Sequence, residues 1–134
     1  MVTTTIDRWH ALVRSRDASA LDALLADDVV FLSPVVHTPQ VGRRLALAYL
    51  RAALQVLGDP SFRYVGEWLG ADSAVLEFSC TLDGVEVNGV DLIHWDADGR
   101  IDRFKVMLRP LRAIQKVHER MAQLLAPAAA PPHG

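Results

Sequence analysis

From Ser73 to Arg109 the chain consists of three runs in which apolar and polar residues alternate, separated by Asp83-Gly84 and Asp98-Gly99. Alternation with a period of two marks strands that bury one face, and Asp-Gly pairs suit the tight turns that join neighbouring strands. Ser73–Leu82 places Ala74, Leu76, Phe78, Cys80 and Leu82 on one side. Val85–Trp95 groups Val87, Gly89, Asp91, Ile93 and Trp95, and Ile101–Arg109 sets Phe104, Val106 and Leu108 against Arg103, Lys105, Met107 and Arg109. The pattern predicts an antiparallel meander with one greasy face, which the rest of the chain has to cover.

The cover is helical. Ile6, Trp9, Leu12 and Val13 recur at helical spacing, with Thr4 or Thr5 as a cap, and a short second run follows at Leu21, Leu24 and Leu25. Val29–Leu32 is short, β-preferring and ended by Pro34, so it reads as a strand. Leu45–Leu57 predicts a long helix closed by Gly58, and another strand begins near Phe62 and Tyr64. After Pro110, a helix carries Leu111, Ile114, Val117, Met121 and Leu124/Leu125 on one stripe. Helices laid on one face of a strongly bent sheet give an α+β domain that encloses a pocket. That domain is expected over residues 1–125, with residues 126–134 as a disordered tail.

Composition limits what such a pocket serves. The 134 residues are 51% hydrophobic and 22% charged, as in a globular protein. No stretch approaches the ~20 apolar residues of a membrane span. A net charge of −2 with interspersed signs offers no footprint for nucleic acid or anionic lipid. Asp7 and Arg8 interrupt what would be a signal sequence, and a single cysteine, Cys80, agrees with a reducing compartment, so the cytoplasm is expected. No metal-ligand spacing, nucleophile elbow or phosphate loop is present, and no cofactor is expected.

Asp91 stands out chemically, as the one carboxylate on a strand face otherwise made of Val87, Gly89, Ile93 and Trp95. If that face lines the pocket, poor solvation favours the protonated acid, which can donate a hydrogen bond or move a proton. The bland reading gives Asp91 a partner in the Trp9 indole, the Tyr49 hydroxyl or a backbone amide. His37, in a proline-bounded loop before the long helix, is the second candidate, as a base at the pocket mouth. His94 falls on the face opposite Asp91 and reads as a surface or dimer contact. On that outer face Val75, Val90, Leu92 and Met107 lie among Arg103, Lys105, Arg109, Glu77 and Glu86, and the charged pairs expected there would frame a homodimer contact.

In order and spacing, LDALLADDVVFLSP, VGRRLALAYLRAAL and GVDLIHWDADGRIDRFKVM resemble the nuclear transport factor 2-like superfamily, in its SnoaL-like and ketosteroid-isomerase-like branch, over about residues 6 to 109. The resemblance implies a cone-shaped, cystatin-like domain around an apolar pocket, with an extra C-terminal helix, commonly as a homodimer. It places Asp91 where ketosteroid isomerases keep a protonated acid. Their catalytic base falls on Ser33 and their tyrosine donor on Trp9, so the complete constellation is missing, and the limonene-epoxide-hydrolase pattern fails at Gly89, Lys105 and Met107. The pocket so implied is lined by Trp9, Ser33, Tyr49, Phe78, Ile93, Phe104, Val106 and Leu108. An isomerase, dehydratase or cyclase acting on an apolar ring-bearing or polyketide-like molecule is the expected function, with Asp91 as acid and His37 as base. A non-catalytic binding protein and a protein-interaction module of the same fold are the alternatives.

Overall fold

A computed structural model describes residues 4–129. Helix α1 (Thr5–Ser15) starts at a reciprocal cap. The Thr4 hydroxyl accepts from the Asp7 amide at 3.0 Å, and the Asp7 carboxylate accepts from the Thr4 amide at 3.2 Å. Thr5 is instead buried, and its hydroxyl donates to the Gly99 carbonyl at 2.7 Å. A short 3₁₀ turn leads into α2 (Leu21–Leu24) and then directly into β1 (Leu25–Leu32). After β2 (Gln40–Val41) come α3 (Arg43–Leu57), β3 (Arg63–Leu69), β4 (Ser73–Leu82), β5 (Val85–Trp95), β6 (Ile101–Arg109) and α4 (Leu111–Ala129).

The six strands form one open sheet in the order β2-β1-β6-β5-β4-β3. The meander is antiparallel as its alternation predicts, with Asp83 (φ 49°) and Gly84 (φ 78°) in the left-handed region at the β4–β5 turn. Beyond the meander the sheet is mixed: β1 runs parallel to β6, with Leu25 opposite Ile101 and Phe31 opposite Phe104. Alternation says which face a strand buries and nothing about its direction against a partner far along the chain. The same pairing draws the chain into the strand at Leu25, where helical spacing suggested otherwise, and the exposed Asp27 and Asp28 occupy an irregularity in the register.

The inner face carries the core. Leu76, Phe78, Phe31, Phe104, Ile93 and Ile101 are almost fully buried on it, with α1 and α3 laid across. Gly89 is the point of closest approach. A Cβ there would come within 2.6 Å of the Phe78 ring and Leu108, and 2.7 Å of the Met107 carbonyl, so only glycine lets β4 and β6 crowd in beside Asp91. Helix α4 packs on α3 and on the meander strands through Ala113, Val117 and Met121. Its buried stripe is thus rotated from the expected one, and Leu111 and Leu124 face outward. The helix runs to Ala129, and the rest of the expected tail, 130–134, lies outside the described residues.

Candidate active site

Three rows of side chains cross the inner face: Phe78, Gly89 and Leu108; Leu76, Asp91 and Val106; Ala74, Ile93 and Phe104. Asp91 is therefore hemmed in by apolar neighbours on both flanking strands, and only 6% of it is exposed. The Tyr64 hydroxyl on β3 donates to Asp91 Oδ2 at 2.7 Å. The indole Nε1–H of Trp9 on α1 donates to the Tyr64 oxygen at 2.9 Å. This Trp9–Tyr64–Asp91 chain spends the tyrosine's donor on the carboxyl and fixes the ring between Phe62 and Phe78. The other carboxyl oxygen has no hydrogen-bond partner among the described residues, yet no buried side-chain oxygen is left unpaired, so Oδ1 is the oxygen open to the cavity.

Burial disfavours the anion and pushes Asp91 up from 3.8 to about 7, against the smaller opposing pull of the Tyr64 hydrogen bond. Tyr64 is pushed well above its usual range, first by burial and then by the neighbouring carboxylate. Burial therefore keeps Asp91 protonated to a higher pH than a solvated carboxyl.

The carboxyl stands at the inner end of a cavity of about 700 Å³, a volume suited to a multi-ring small molecule. Trp9, Leu50, Phe62, Phe78, Phe104 and Val106 make its apolar wall. The lining residues that are exposed, Arg14, Arg16, Arg51, Gln55 and Arg63, belong to the end of α1, the later half of α3 and the start of β3, and this is where the cavity opens.

Of the residues expected at the site, Trp9, Phe78, Asp91, Phe104 and Val106 line this cavity together. Ile93, Tyr49, Leu108 and Ser33 do not. Ile93 is buried in the core one row on, Tyr49 packs toward Phe31 (ring centroids 5.8 Å apart), and Leu108 sits against Gly89. The Ser33 hydroxyl accepts from the Val35 and Val36 amides at 3.1 and 3.3 Å and closes a turn. His37 is exposed and outside the lining. Its loop leads into the beginning of α3, whereas the cavity is bordered by that helix from Leu50 onward, so the geometry does not bring it to Asp91. Asp91 takes neither of the side-chain partners expected from the sequence.

Tyr64 is the residue that sequence reasoning passed over. Phe62 and Tyr64 alternate as β4 does, but a register irregularity between Tyr64 and Gly66 hides which face the tyrosine takes. His10 pairs with Glu67 at 2.6 Å, and His94 bridges Asp102 at 2.6 Å and Asp72 at 3.2 Å on the outer face, as a surface contact. The expected links of Arg103, Lys105 and Arg109 to Glu77 and Glu86 are not made, because those cations lie opposite His94, Leu92 and Asn88. Glu77 instead accepts from the Asn88 amide at 3.0 Å. Among the described residues no group of side chains is arranged to hold a metal ion.

A curved sheet folded over an apolar cavity, with helices across its mouth and one acid inside, defines a nuclear transport factor 2-like domain. The SnoaL-like domain family matches residues 6–104, and the chain belongs to that family. A steroid delta-isomerase from Pseudomonas aeruginosa is 40% identical, covers 95% of this chain and 93% of its own, and superposes with a TM-score of 0.87. An uncharacterised bacterial protein of cystatin-like fold from Silicibacter pomeroyi is 31% identical over 96% of this chain and 89% of its own, with a TM-score of 0.86. An NTF2-like protein of unknown function from Mesorhizobium loti, 22% identical over 79% of this chain and 88% of its own, shares the fold at a TM-score of 0.68. No curated protein matches the chain. No helix of the described residues is long and apolar enough to cross a membrane.

Proposed function

We propose that the protein binds an apolar, ring-bearing small molecule and catalyses an isomerase-type proton transfer with Asp91 as its acid. The observation that carries this reading is the single carboxyl at the inner end of the apolar cavity, tied on one oxygen by Tyr64 and free on the other. In its neutral form Asp91 donates from Oδ1 to a carbonyl or hydroxyl oxygen of the ligand. The Tyr64 bond to Oδ2, itself backed by Trp9, holds the carboxyl in place and polarises it toward the ligand. Isomerisation of an unsaturated ketone, dehydration and cyclisation can each begin with that step; the proton that an isomerisation also takes from carbon goes to water in the cavity, because no second side chain that accepts a proton near neutrality is among the lining residues. The name carried by the 40%-identical Pseudomonas aeruginosa relative supports the first of them.

The test is turnover of unsaturated ring ketones, steroid ketones first, followed by absorbance of the conjugated product. Asp91→Asn is expected to lower kcat by roughly 10²- to 10⁴-fold with an unchanged circular dichroism spectrum. Undiminished turnover in that variant would falsify the assignment. Because neutral Asp91 is the active form, kcat/KM should fall as pH rises through about 7. The Tyr64 hydrogen bond lowers the acid's pKa, so in Tyr64→Phe the fall should move to higher pH.

One observation favours a non-catalytic binding protein: Asp91 is the sole group among the lining residues that titrates near neutrality, with no histidine, cysteine or lysine beside it. A ring ketone that binds tightly and is recovered unaltered from all conditions would decide for that reading.

We also propose that two copies pair through the outer sheet face. There Trp68 and Met107 are 58% and 55% exposed beside the Val75, Val90 and Leu92 rows. Sedimentation should give twice the chain mass, and Trp68→Glu should halve it; a monomeric wild type would end the proposal. The buried free thiol of Cys80, pushed up to about 11 mainly by burial, suits a reducing cytoplasm.

A further inference from the structure

Four guanidinium groups border the opening of the cavity. Arg14 lies in the last turn of α1 and Arg16 caps it in a left-handed conformation, Arg51 lies midway along α3, and Arg63 begins the edge strand β3. Two other arginines pair with carboxylates, Arg43 with Asp27 at 2.6 Å and Arg120 with Asp83 at 3.0 Å; what sets the four at the opening apart is that they line one cavity together. The four at the opening make no ion pair and no side-chain hydrogen bond among the described residues. Arg16 acts weakly on Asp59, whose carboxyl is held low mainly by hydrogen bonds from Ser61. Asp59 is not a lining residue, and the one carboxyl that is, Asp91, is buried at the far end.

Four cations on one opening, with the buried Asp91 as the one carboxylate among the lining residues, give the rim a positive potential. Guanidinium groups are forks that grip oxyanions through paired N–H bonds, and several around one opening raise the local concentration of anions. Two of them adjoin the apolar wall directly. Arg51 precedes Leu54 and Gln55 by three and four and so shares a helical stripe with residues already in the wall, while Arg16 reaches the same lining from the cap of α1.

We infer that the cavity takes an amphipathic acid, its apolar rings against Trp9, Phe78 and Phe104 and its oxyanion, a carboxylate, sulfonate or phosphate, held at the mouth by Arg16 and Arg51. The inference rests on the reading of the cavity as a ligand site and adds the ligand's charge. A molecule so held is anchored at both ends, by cations outside and by the Asp91 hydrogen bond within, which orients it along the cavity.

Two fluorescent probes with a common apolar body separate the claims: anilinonaphthalene sulfonate, and its uncharged counterpart N-phenylnaphthylamine. In low salt the sulfonate is expected to bind roughly tenfold more tightly. The advantage should shrink about fivefold or more in the Arg16→Gln/Arg51→Gln double variant, and again in ~0.5 M NaCl. Arg112→Gln, an exposed arginine on α4 away from the cavity, should leave it intact. Displacement of the sulfonate probe by naphthoate and by naphthyl phosphate tells which oxyanion is preferred, with naphthol as the neutral reference. Equal affinities for the two probes, naphthol displacing as well as the anions, or an advantage that survives the double variant would overturn the inference and leave the cavity reading standing. Failure of both probes to bind would sink the cavity reading too.

Discussion

At pH 8 the Asp91→Asn protein should be more stable than the wild type by up to about 4 kcal/mol, and near pH 4 the two should be nearly equal. The carboxyl rises from 3.8 to about 7 on folding. At roughly 1.4 kcal/mol per pH unit, this corresponds to that difference. Between those values the folded protein keeps a proton that the unfolded chain has released, so the unfolded state binds fewer protons and stability falls as pH rises. Above pH 7 the penalty of a buried anion is fully present. Asparagine carries no such charge, and its oxygen can still accept from the Tyr64 hydroxyl. His94, raised chiefly by its hydrogen bond to Asp102, also loses its contribution as pH rises, but it is common to both proteins and cancels in the difference. Denaturant unfolding of both proteins at about pH 4, 6 and 8 measures the effect. A stability difference that stays constant with pH would mean that Asp91 is solvated rather than buried.

The second large effect is expected at Phe104. Its ring, 1% exposed, meets Trp9 at 4.9 Å and Phe31 at 6.2 Å between centroids, and it lies opposite Phe31 on β1 and Ile93 on β5. Phe104→Ala should cost about 3 to 5 kcal/mol, toward the lower end because part of the vacated space joins a cavity that is already open. The loss should also reach the site, since Trp9 holds Tyr64 and Tyr64 holds Asp91. Urea unfolding gives the energy, and a loss below about 1 kcal/mol would show that the Trp9 contact is not formed.

These two expectations differ in how much of them the residues announce. A lone carboxylate in the alternation of β5 identifies Asp91 before any coordinates, because a strand's faces are set by a period of two that is read residue by residue. The same local rule identifies the meander, its Asp-Gly turns and the apolar wall of Phe78, Phe104 and Val106. It fails at Tyr64, where a register irregularity shifts the strand's phase. It fails at β1 as well, since four apolar residues in a row carry no direction. His37 looked well placed because its loop precedes α3, but the cavity lies along the far half of that helix, and a helix of 15 residues is about 22 Å long.

What the sequence alone determined is therefore everything written in short-range periodicity: the α+β class, the meander, the apolar inner face and the misfit carboxylate upon it. Tertiary structure decided who meets Asp91 and where the cavity opens. Trp9 and Tyr64 are 55 residues apart, and Tyr64 and Asp91 are 27 apart. Groups so distant along the chain meet only through strand register, sheet curvature and the seating of α1 and α3. The same long-range packing gathers the four arginines at one rim, because no local spacing relates residues 14 and 16 to 51 and 63.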